Sequence, residues 1–447
     1  MKAPKPYINW FAEQSKLHGG HAAILTKEIS ITYKQLSGLV NDRVEGLQKI
    51  NIRQNDIVGI LAEHSYQFII DLLAIWSLGA AAFPINVKLT KEEINRQVNF
   101  IGCKVLTEDK TINKSIADSS AALIMFTSGS TGKNKAVVHS LNSLFASISS
   151  IDKEIHLEEN KKWLASLPFY RIGGFQIIIR SLLTGGTLCI PSGISTENIS
   201  NGIINFKPDY ISLVNATYQS LLQSSINGLK NTKVIFIGGG PVESSLLKEG
   251  ISKGLPVYKV YGSTETGSMI SILKPEDAEN KIDSAGKPLP GVKLKIEQNE
   301  ILVSTNSLFT GYYKNSSLTK KKIINGWFRS GDVGFIDNDG FLFVEGRKDN
   351  ILISGGEKIN PTEIEDILIS HFKITDAFVL GVPDEKWGQK VCAAVVSSTK
   401  LNVSEIQDKL KEILPSYKIP KVIKQIESIP IDEMAKVNLA ELQNLFF

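Results

Sequence analysis

The feature that most restricts how this chain folds is a repeated alternation of short β-branched runs with helix-like runs over its first three-quarters. Residues 56–62 read as a strand, 66–78 as a helix and 80–86 as a second strand. A helix over 90–101 follows, opened by Thr90 as N-cap with Glu92 and Glu93 in its first turn. Further β-rich runs fall at 104–108, 121–126, 186–190, 210–214, 233–238 and 256–260, interleaved with helical segments at 141–150, 175–183 and 242–253. Such alternation predicts an α/β fold of layered, largely parallel sheets flanked by helices.

Near residue 282 the character changes. Short strands and turns at 292–296, 300–304 and 340–344 predict a β-rich subdomain over about 282–346. Beyond Arg347 come a strand at 351–354 and a helix at 361–370 with Pro361 in its first turn. Strands at 377–381 and 391–397 and a helix at 403–414 complete a compact α+β unit. With 447 residues the chain exceeds one compact core. The expected division is a large N-terminal domain over 1–348 and a small C-terminal domain over 349–447, joined at 347–350.

A net charge of +4, with no dense basic run carrying interleaved aromatics, argues against a nucleic-acid partner. The apolar stretch 72–87 is too short to span a bilayer and holds Gly79 and Pro84, so stable membrane insertion is not expected. Cys103, Cys189 and Cys392 lie far apart with no metal-binding spacing. They fit small buried hydrophobes in a reducing compartment, and with no signal-peptide pattern at the N-terminus the expected location is the cytoplasm. Oligomeric state stays open, a homo-oligomer included.

The chemistry concentrates first in 125–139, Met-Phe-Thr-Ser-Gly-Ser-Thr-Gly-Lys-Asn-Lys-Ala-Val-Val-His. Hydroxyls, glycines and two lysines after an apolar strand suit a polyphosphate. The spacing excludes a Walker loop: only Ser130 and Thr131 separate Gly129 from Gly132, and Asn134 follows Lys133. Three further segments carry functional residue types. Tyr261 to Gly267, Tyr-Gly-Ser-Thr-Glu-Thr-Gly, presents hydroxyls beside a carboxylate suited to Mg²⁺. Residues 326–332 set Asp332 at the end of a tight turn, where a carboxylate can accept ribose hydroxyls. Residues 346–359 place Gly355 and Gly356 at the domain junction, where backbone can be approached closely. Taken singly, each also fits an ordinary turn.

In this order the four segments resemble the adenylate-forming superfamily of acyl-CoA synthetases, luciferases and peptide-synthetase adenylation domains, over nearly the whole chain. The resemblance implies activation of a carboxylic acid as an acyl-adenylate, with ATP, Mg²⁺ and coenzyme A as partners. Thr127, Ser128, Gly129, Ser130, Thr131, Gly132 and Lys135 would wrap the ATP phosphates. Gly238, Gly239, Gly240 and Pro241 would border the adenine, with Tyr261 packed against it beside Gly262. Thr264 would hold the α-phosphate and Glu265 the metal, while Asp332 and Arg347 would bind the ribose. Asp349 would be the hinge of a mobile small domain. Lys436 would be its catalytic lysine, although Ala435 stands where the superfamily has Gly. Gly355 and Gly356 would line the thiol tunnel in the second step.

Within the superfamily, Pro-Phe-Tyr-Arg-Ile-Gly-Gly-Phe at 168–175, the following run to Arg180, and Ala-Val-Val-His at 136–139 resemble the 2-succinylbenzoate–CoA ligases of menaquinone biosynthesis. Arg171 stands where the common pattern has His. A second carboxylate on the substrate needs a cationic or hydrogen-bonding partner, and Arg171, Arg180 and His139 are the candidates. The arginines read equally as a helix-face surface pair, and the histidine as strand-end packing. Gly173, Gly174, Ser263, Thr266 and Gly267 would border the acyl group. A ligase for another aryl or short-chain acid, an amino-acid adenylation module and a silent nucleotide-binding protein are the competing readings.

Overall fold

In the computed structural model the described residues are 10–106, 120–127, 135–224, 227–240, 242–348, 352–354, 357–431 and 437–446. They form two compact units. The first comprises Met1–Lys295, Leu302–Arg329 and Ile336–Phe343, the second Ile296–Ile301, Ser330–Phe335 and Val344–Phe447.

The first unit is built on two large sheets. One has nine strands, and six of them run parallel, in the order Val257–Ser263, Val234–Ile237, Tyr210–Leu213, Lys162–Leu164, Thr187–Cys189 and Ala22–Leu25. Antiparallel strands close both edges, Ser268–Leu273 and Lys287–Pro288 at one and Ser30–Thr32 at the other. The central strands Tyr210–Leu213 and Val234–Ile237 are buried at every position, the pattern of a covered parallel sheet.

The second sheet is ordered Gly311–Tyr312, Lys135–His139, Leu123–Thr127, Ala81–Ile85, Ile57–Leu61 and Lys104–Leu106. The apolar stretch from Leu72 is a buried helix, Tyr66–Ser77, and then the strand Ala81–Ile85. No helix of the described residues is long and apolar enough to cross a membrane.

Local chemistry sets the helix starts. Thr90 caps Lys91–Ile101 in a reciprocal capping box with Glu93. Asn360 caps Pro361–His371, with proline where no donor is needed. The helix at 172 begins three residues earlier than its sequence suggests, spanning Ile172–Leu183 through two glycines. Gly174 is there for space: a Cβ would sit 2.2 Å from the Pro168 carbonyl oxygen. This helix is buried nearly all round, packed on strands of the nine-stranded sheet and on the helix Leu141–Ile155.

Asp332 departs from its expected setting. It does not end a turn but lies inside the ten-residue strand Trp327–Ile336. Glycine and serine at 330–331 suggest a turn from sequence. Instead, a positive φ of 80° at Gly331 is absorbed within the strand, with the Gly331 amide donating to Glu300 Oε1 at 3.1 Å. Lys320, Lys321 and Lys322 close a short helix, Ser316–Lys322.

The second unit holds a three-stranded sheet, Asp376–Asp384 antiparallel to Gly388–Val396 and the latter parallel to Val422–Ile426. Helices Pro361–His371 and Val403–Ile413 contribute Ile364, Leu368, Ile406 and Leu410 to its core.

Candidate active site

Strands Leu123–Thr127 and Lys135–His139 pair antiparallel on either side of the hydroxyl-rich segment in the sequence. Thr127 and Lys135 are cross-strand partners, and Thr127 Oγ1 donates to the Lys135 carbonyl at 3.3 Å. Ser128, Gly129, Ser130, Thr131 and Gly132 lie outside the described residues.

A second hairpin carries the other half of the constellation. Strand Val257–Ser263 turns through 264–267 into Ser268–Leu273. The turn is tied internally by Thr266, whose Oγ1 accepts from the Ser263 amide at 2.8 Å and lies 2.8 Å from the Ser268 carbonyl. Gly262 has no room for a Cβ, which would fall 2.0 Å from that same carbonyl oxygen. Gly267 takes a φ of 72°, the left-handed region. Ser263, Thr264 and Glu265 are half-buried, with Thr266 and Gly267 buried beneath them.

The two hairpins are joined by residues 125 positions apart: His139 Nε2 donates to the Thr264 carbonyl at 2.7 Å. The segment 309–312 adds a second tie. Its Phe309 amide donates to the Glu265 carbonyl at 2.8 Å, its Thr310 amide donates to the Val138 carbonyl, and Tyr312 Oη donates to Glu265 Oε1 at 3.0 Å. Burial pushes the His139 imidazole down to about 4, so it is neutral at pH 7, with its remaining nitrogen 3.0 Å from Ser143 Oγ. Both ring nitrogens are thus engaged by the protein.

Beneath the turn lies the helix Ile172–Leu183. Gln176 Nε2 donates to the Gly267 carbonyl at 2.8 Å, and Arg180 Nη2 to Ser268 Oγ at 3.0 Å. Arg180 is 1% exposed, which excludes the surface-pair reading for it. Its Nε has no hydrogen-bond partner, and no carboxylate pairs with it among the described residues. Burial pushes the guanidinium down to about 9. Arg171 is the half-buried N-cap residue of this helix, and Gly173 and Gly174 form its first turn.

At the carboxyl ends of the parallel strands, Gly238, Gly239 and Gly240 follow Ile237. A Cβ on Gly238 would meet the Val260 carbonyl oxygen at 2.7 Å, and Gly239 has a φ of 90°. Tyr261 and Gly262 end the neighbouring strand. The carboxyl ends of parallel strands are where open α/β sheets bind ligands. Pro241 lies outside the described residues. In the second unit Arg347 Nη1 pairs with Asp332 Oδ1 at 2.9 Å and donates to the Ser330 carbonyl at 3.1 Å. Asp349, Gly355, Gly356 and Lys436 lie outside the described residues.

Sequence reasoning passed over Gln176, Ser268 and Tyr312. A sign was available for the first: Gln176 and Arg180, four apart, are the long polar side chains in an otherwise apolar helix, Ile-Gly-Gly-Phe-Gln-Ile-Ile-Ile-Arg. Such a pair requires polar partners inside the fold.

The paired strand hairpins, the hydroxyl–carboxylate turn and the glycines at the parallel strand ends are the frame of an enzyme that activates its substrate with a nucleotide. The chain belongs to the AMP-binding enzyme family, whose model matches residues 11–120 and 108–313; the model of the AMP-binding enzyme C-terminal domain matches residues 363–436. More particularly, it is 33% identical over 460 residues to a 2-succinylbenzoate–CoA ligase of Oceanobacillus iheyensis, covering 94% of this chain and 96% of that one. Solved structures of o-succinylbenzoate CoA synthetase from Bacillus subtilis, with AMP and with the acyl-adenylate intermediate, each superpose with a TM-score of 0.90. They are 29% identical to this chain and cover 97% of it and 98% of their own length. A third, holding ATP and magnesium ion, gives the same TM-score and identity.

Proposed function

We propose that this enzyme activates 2-succinylbenzoate with ATP and transfers the acyl group to coenzyme A. A carboxylate oxygen of the acid attacks the α-phosphorus of ATP, the bond to the bridging oxygen breaks, and pyrophosphate leaves. The thiol sulfur of coenzyme A then attacks the acyl carbon, forming the thioester and releasing AMP. The relatives' names and the bound acyl-adenylate of the B. subtilis structure support this sequence of steps.

The observation that carries the choice of acid is Arg180. A guanidinium buried without a counter-charge is costly unless a ligand supplies one. A dicarboxylate has one carboxyl to activate and one to offer that cation. Arg171, at the start of the same helix, and the backbone of Gly173 and Gly174 would shape the rest of the acyl pocket with Ser263, Thr266 and Gly267. His139, with both nitrogens engaged, would act on the pocket through the turn it holds.

Thr127, Lys135 and the loop between them would hold the outer phosphates, Thr264 the α-phosphate, and Gly238 to Pro241 with Tyr261 and Gly262 the adenine. Asp332 and Arg347 would take the ribose hydroxyls, Lys436 the developing charge of the first step, and Gly355 and Gly356 the thiol's path. Among the described residues no three His, Cys, Asp or Glu side chains group to hold a metal alone. Magnesium fits this chemistry, since it commonly takes one carboxylate and completes its shell with substrate phosphates and water. Glu265, half-buried with one oxygen fixed by Tyr312, would be that carboxylate. When bound, the metal offsets charge on the phosphates. A small domain from 349 hinged at 347–350, with the family C-terminal match at 363–436, completes the reading. The buried free cysteines suit the cytoplasm.

The test is a panel of acids with ATP, magnesium and coenzyme A, scored by pyrophosphate release and thioester formation. Turnover of 2-succinylbenzoate well above benzoates, fatty acids and amino acids is expected. An inert 2-succinylbenzoate beside a reactive monocarboxylate would remove the named substrate while leaving the reaction class.

A further inference from the structure

We infer that His139 and Gln176 are positioning residues that clamp the two ends of the 264–267 turn, setting where the Thr264 hydroxyl and Glu265 carboxylate stand for adenylate formation. The inference rests on the reading of that turn as the α-phosphate and metal site.

The clamp is visible in the hydrogen bonds. A carbonyl only accepts, so the 2.7 Å contact between His139 and Thr264 places the imidazole hydrogen on Nε2. Nδ1 is then bare and accepts from Ser143 Oγ at 3.0 Å. That hydroxyl also lies 2.9 Å from the Ser140 carbonyl, at the N-cap of the helix Leu141–Ile155, and its one hydrogen serves either partner. The chain of contacts thus runs from a helix start, through a ring that is 0% exposed, to the first carbonyl of the turn.

Gln176 grips the other end. Its amide gives one hydrogen to the Gly267 carbonyl at 2.8 Å and one to the Leu144 carbonyl at 3.3 Å. The price is a fully buried Oε1 with no hydrogen-bond partner among the described residues. A buried acceptor left unmade costs about 1–3 kcal/mol, and such groups persist where geometry matters more than stability. Two donors from two elements therefore fix the Thr264 and Gly267 carbonyls, while the side chains at 264 and 265 stay half-buried at the surface of the pocket.

Neither residue touches the reacting atoms in this scheme, so the test must separate positioning from folding. Asparagine at 139 reproduces the Nδ1 contact to Ser143 but falls short of Thr264, whereas glutamine reaches it. With His139→Asn, pyrophosphate–ATP exchange should fall about tenfold or more, the loss expected from a misplacement near 1 Å. The magnesium concentration for half-activity should rise. Thioester formation from supplied acyl-adenylate should fall clearly less than exchange, since that step keeps the α-phosphate contact but no longer needs Glu265 and its metal to expel pyrophosphate. His139→Gln should recover most of the exchange rate, and Gln176→Leu should repeat the His139→Asn pattern.

Equal loss of both half-reactions, glutamine no better than asparagine, or an unchanged exchange rate would each overturn the clamp. A parent enzyme that exchanges no pyrophosphate with any acid would instead overturn the function on which it rests.

Discussion

Arg180 and Ser268 form an unusual pair: a fully buried guanidinium meets a serine hydroxyl at 3.0 Å and no carboxylate among the described residues. Ser268 itself sits at a φ of 120°, a conformation that side chains other than glycine rarely adopt. The cation is thus aimed by a strained strand start and left electrostatically unfinished.

Removing that cation should separate substrates by charge. Arg180→Leu is expected to lower kcat/KM for 2-succinylbenzoate by about a hundredfold or more, the loss typical of breaking a buried charge pair. Monocarboxylic acids should change little. The unliganded variant should melt no lower than the parent, because an uncompensated charge has left the core. Equal losses across mono- and dicarboxylates in steady-state assays would assign the second carboxyl to another residue.

One buried imidazole, His139, and one half-buried imidazole, His64, make the first unit acid-sensitive. His64, 2.7 Å from the Ala165 carbonyl and stacked on Phe169, and His139 are both pushed down to about 4 by burial. Their unfolded value is near 6.5, so between about pH 6.5 and 4 the unfolded chain holds more protons than the folded one. Their contribution is complete above that window and is lost as pH falls through it, by up to about 3 kcal/mol each. Glu365 in the second unit runs the other way, since burial raises it to about 7 and acidification favours its neutral form. Urea unfolding at pH 7.5 and 5.0 should therefore show a shallower acid loss in a His64→Gln/His139→Gln variant than in the parent. Parallel slopes would refute the assignment.

Tyr312 should matter through one oxygen. Tyr312→Phe removes the donor to Glu265 Oε1 and leaves the ring in place. A hydrogen bond to a charged group is worth about 1.5–3 kcal/mol, so adenylate formation should need about tenfold more magnesium or beyond. Titration of magnesium at saturating ATP checks this, and an unshifted midpoint would mean that Glu265 does not meet the metal.

Gly174 should reject the smallest side chain. In Gly174→Ala the new Cβ would lie 2.2 Å from the Pro168 and 2.6 Å from the Leu167 carbonyl oxygens, both backbone. Overpacking of this kind costs about 1–3 kcal/mol, and the thermal midpoint should fall accordingly. Gly240→Ala, with nothing within 4 Å of the added carbon, is the control and should leave the midpoint unchanged.

Much of this was written locally. Strand–helix alternation, the Thr90 capping box and Pro361 at a helix start are short-range patterns, and the elements form where those patterns lie. The turn after Tyr261 was equally legible, because glycines and hydroxyls follow a strand-like run there, whereas the hydroxyl–glycine loop at 128–134 lies outside the described residues. Asp332 was misread as a turn residue because glycine beside serine looks the same locally in a turn and in a strand kinked at Gly331. That Arg180 is buried could not be read either. A lone arginine on an apolar helix looks alike whether its face meets water or a second layer.

By itself, then, the sequence determined the elements and their caps, since each depends on residues a few positions apart, and it offered candidates for the reactive groups by residue type. Only the tertiary structure decided that His139 meets Thr264, that Gln176 meets Gly267, and that Arg180 is buried with no carboxylate beside it among the described residues. Those facts depend on which distant strands become neighbours. Sheet order and layer packing set that, over separations at which local periodicity carries no information.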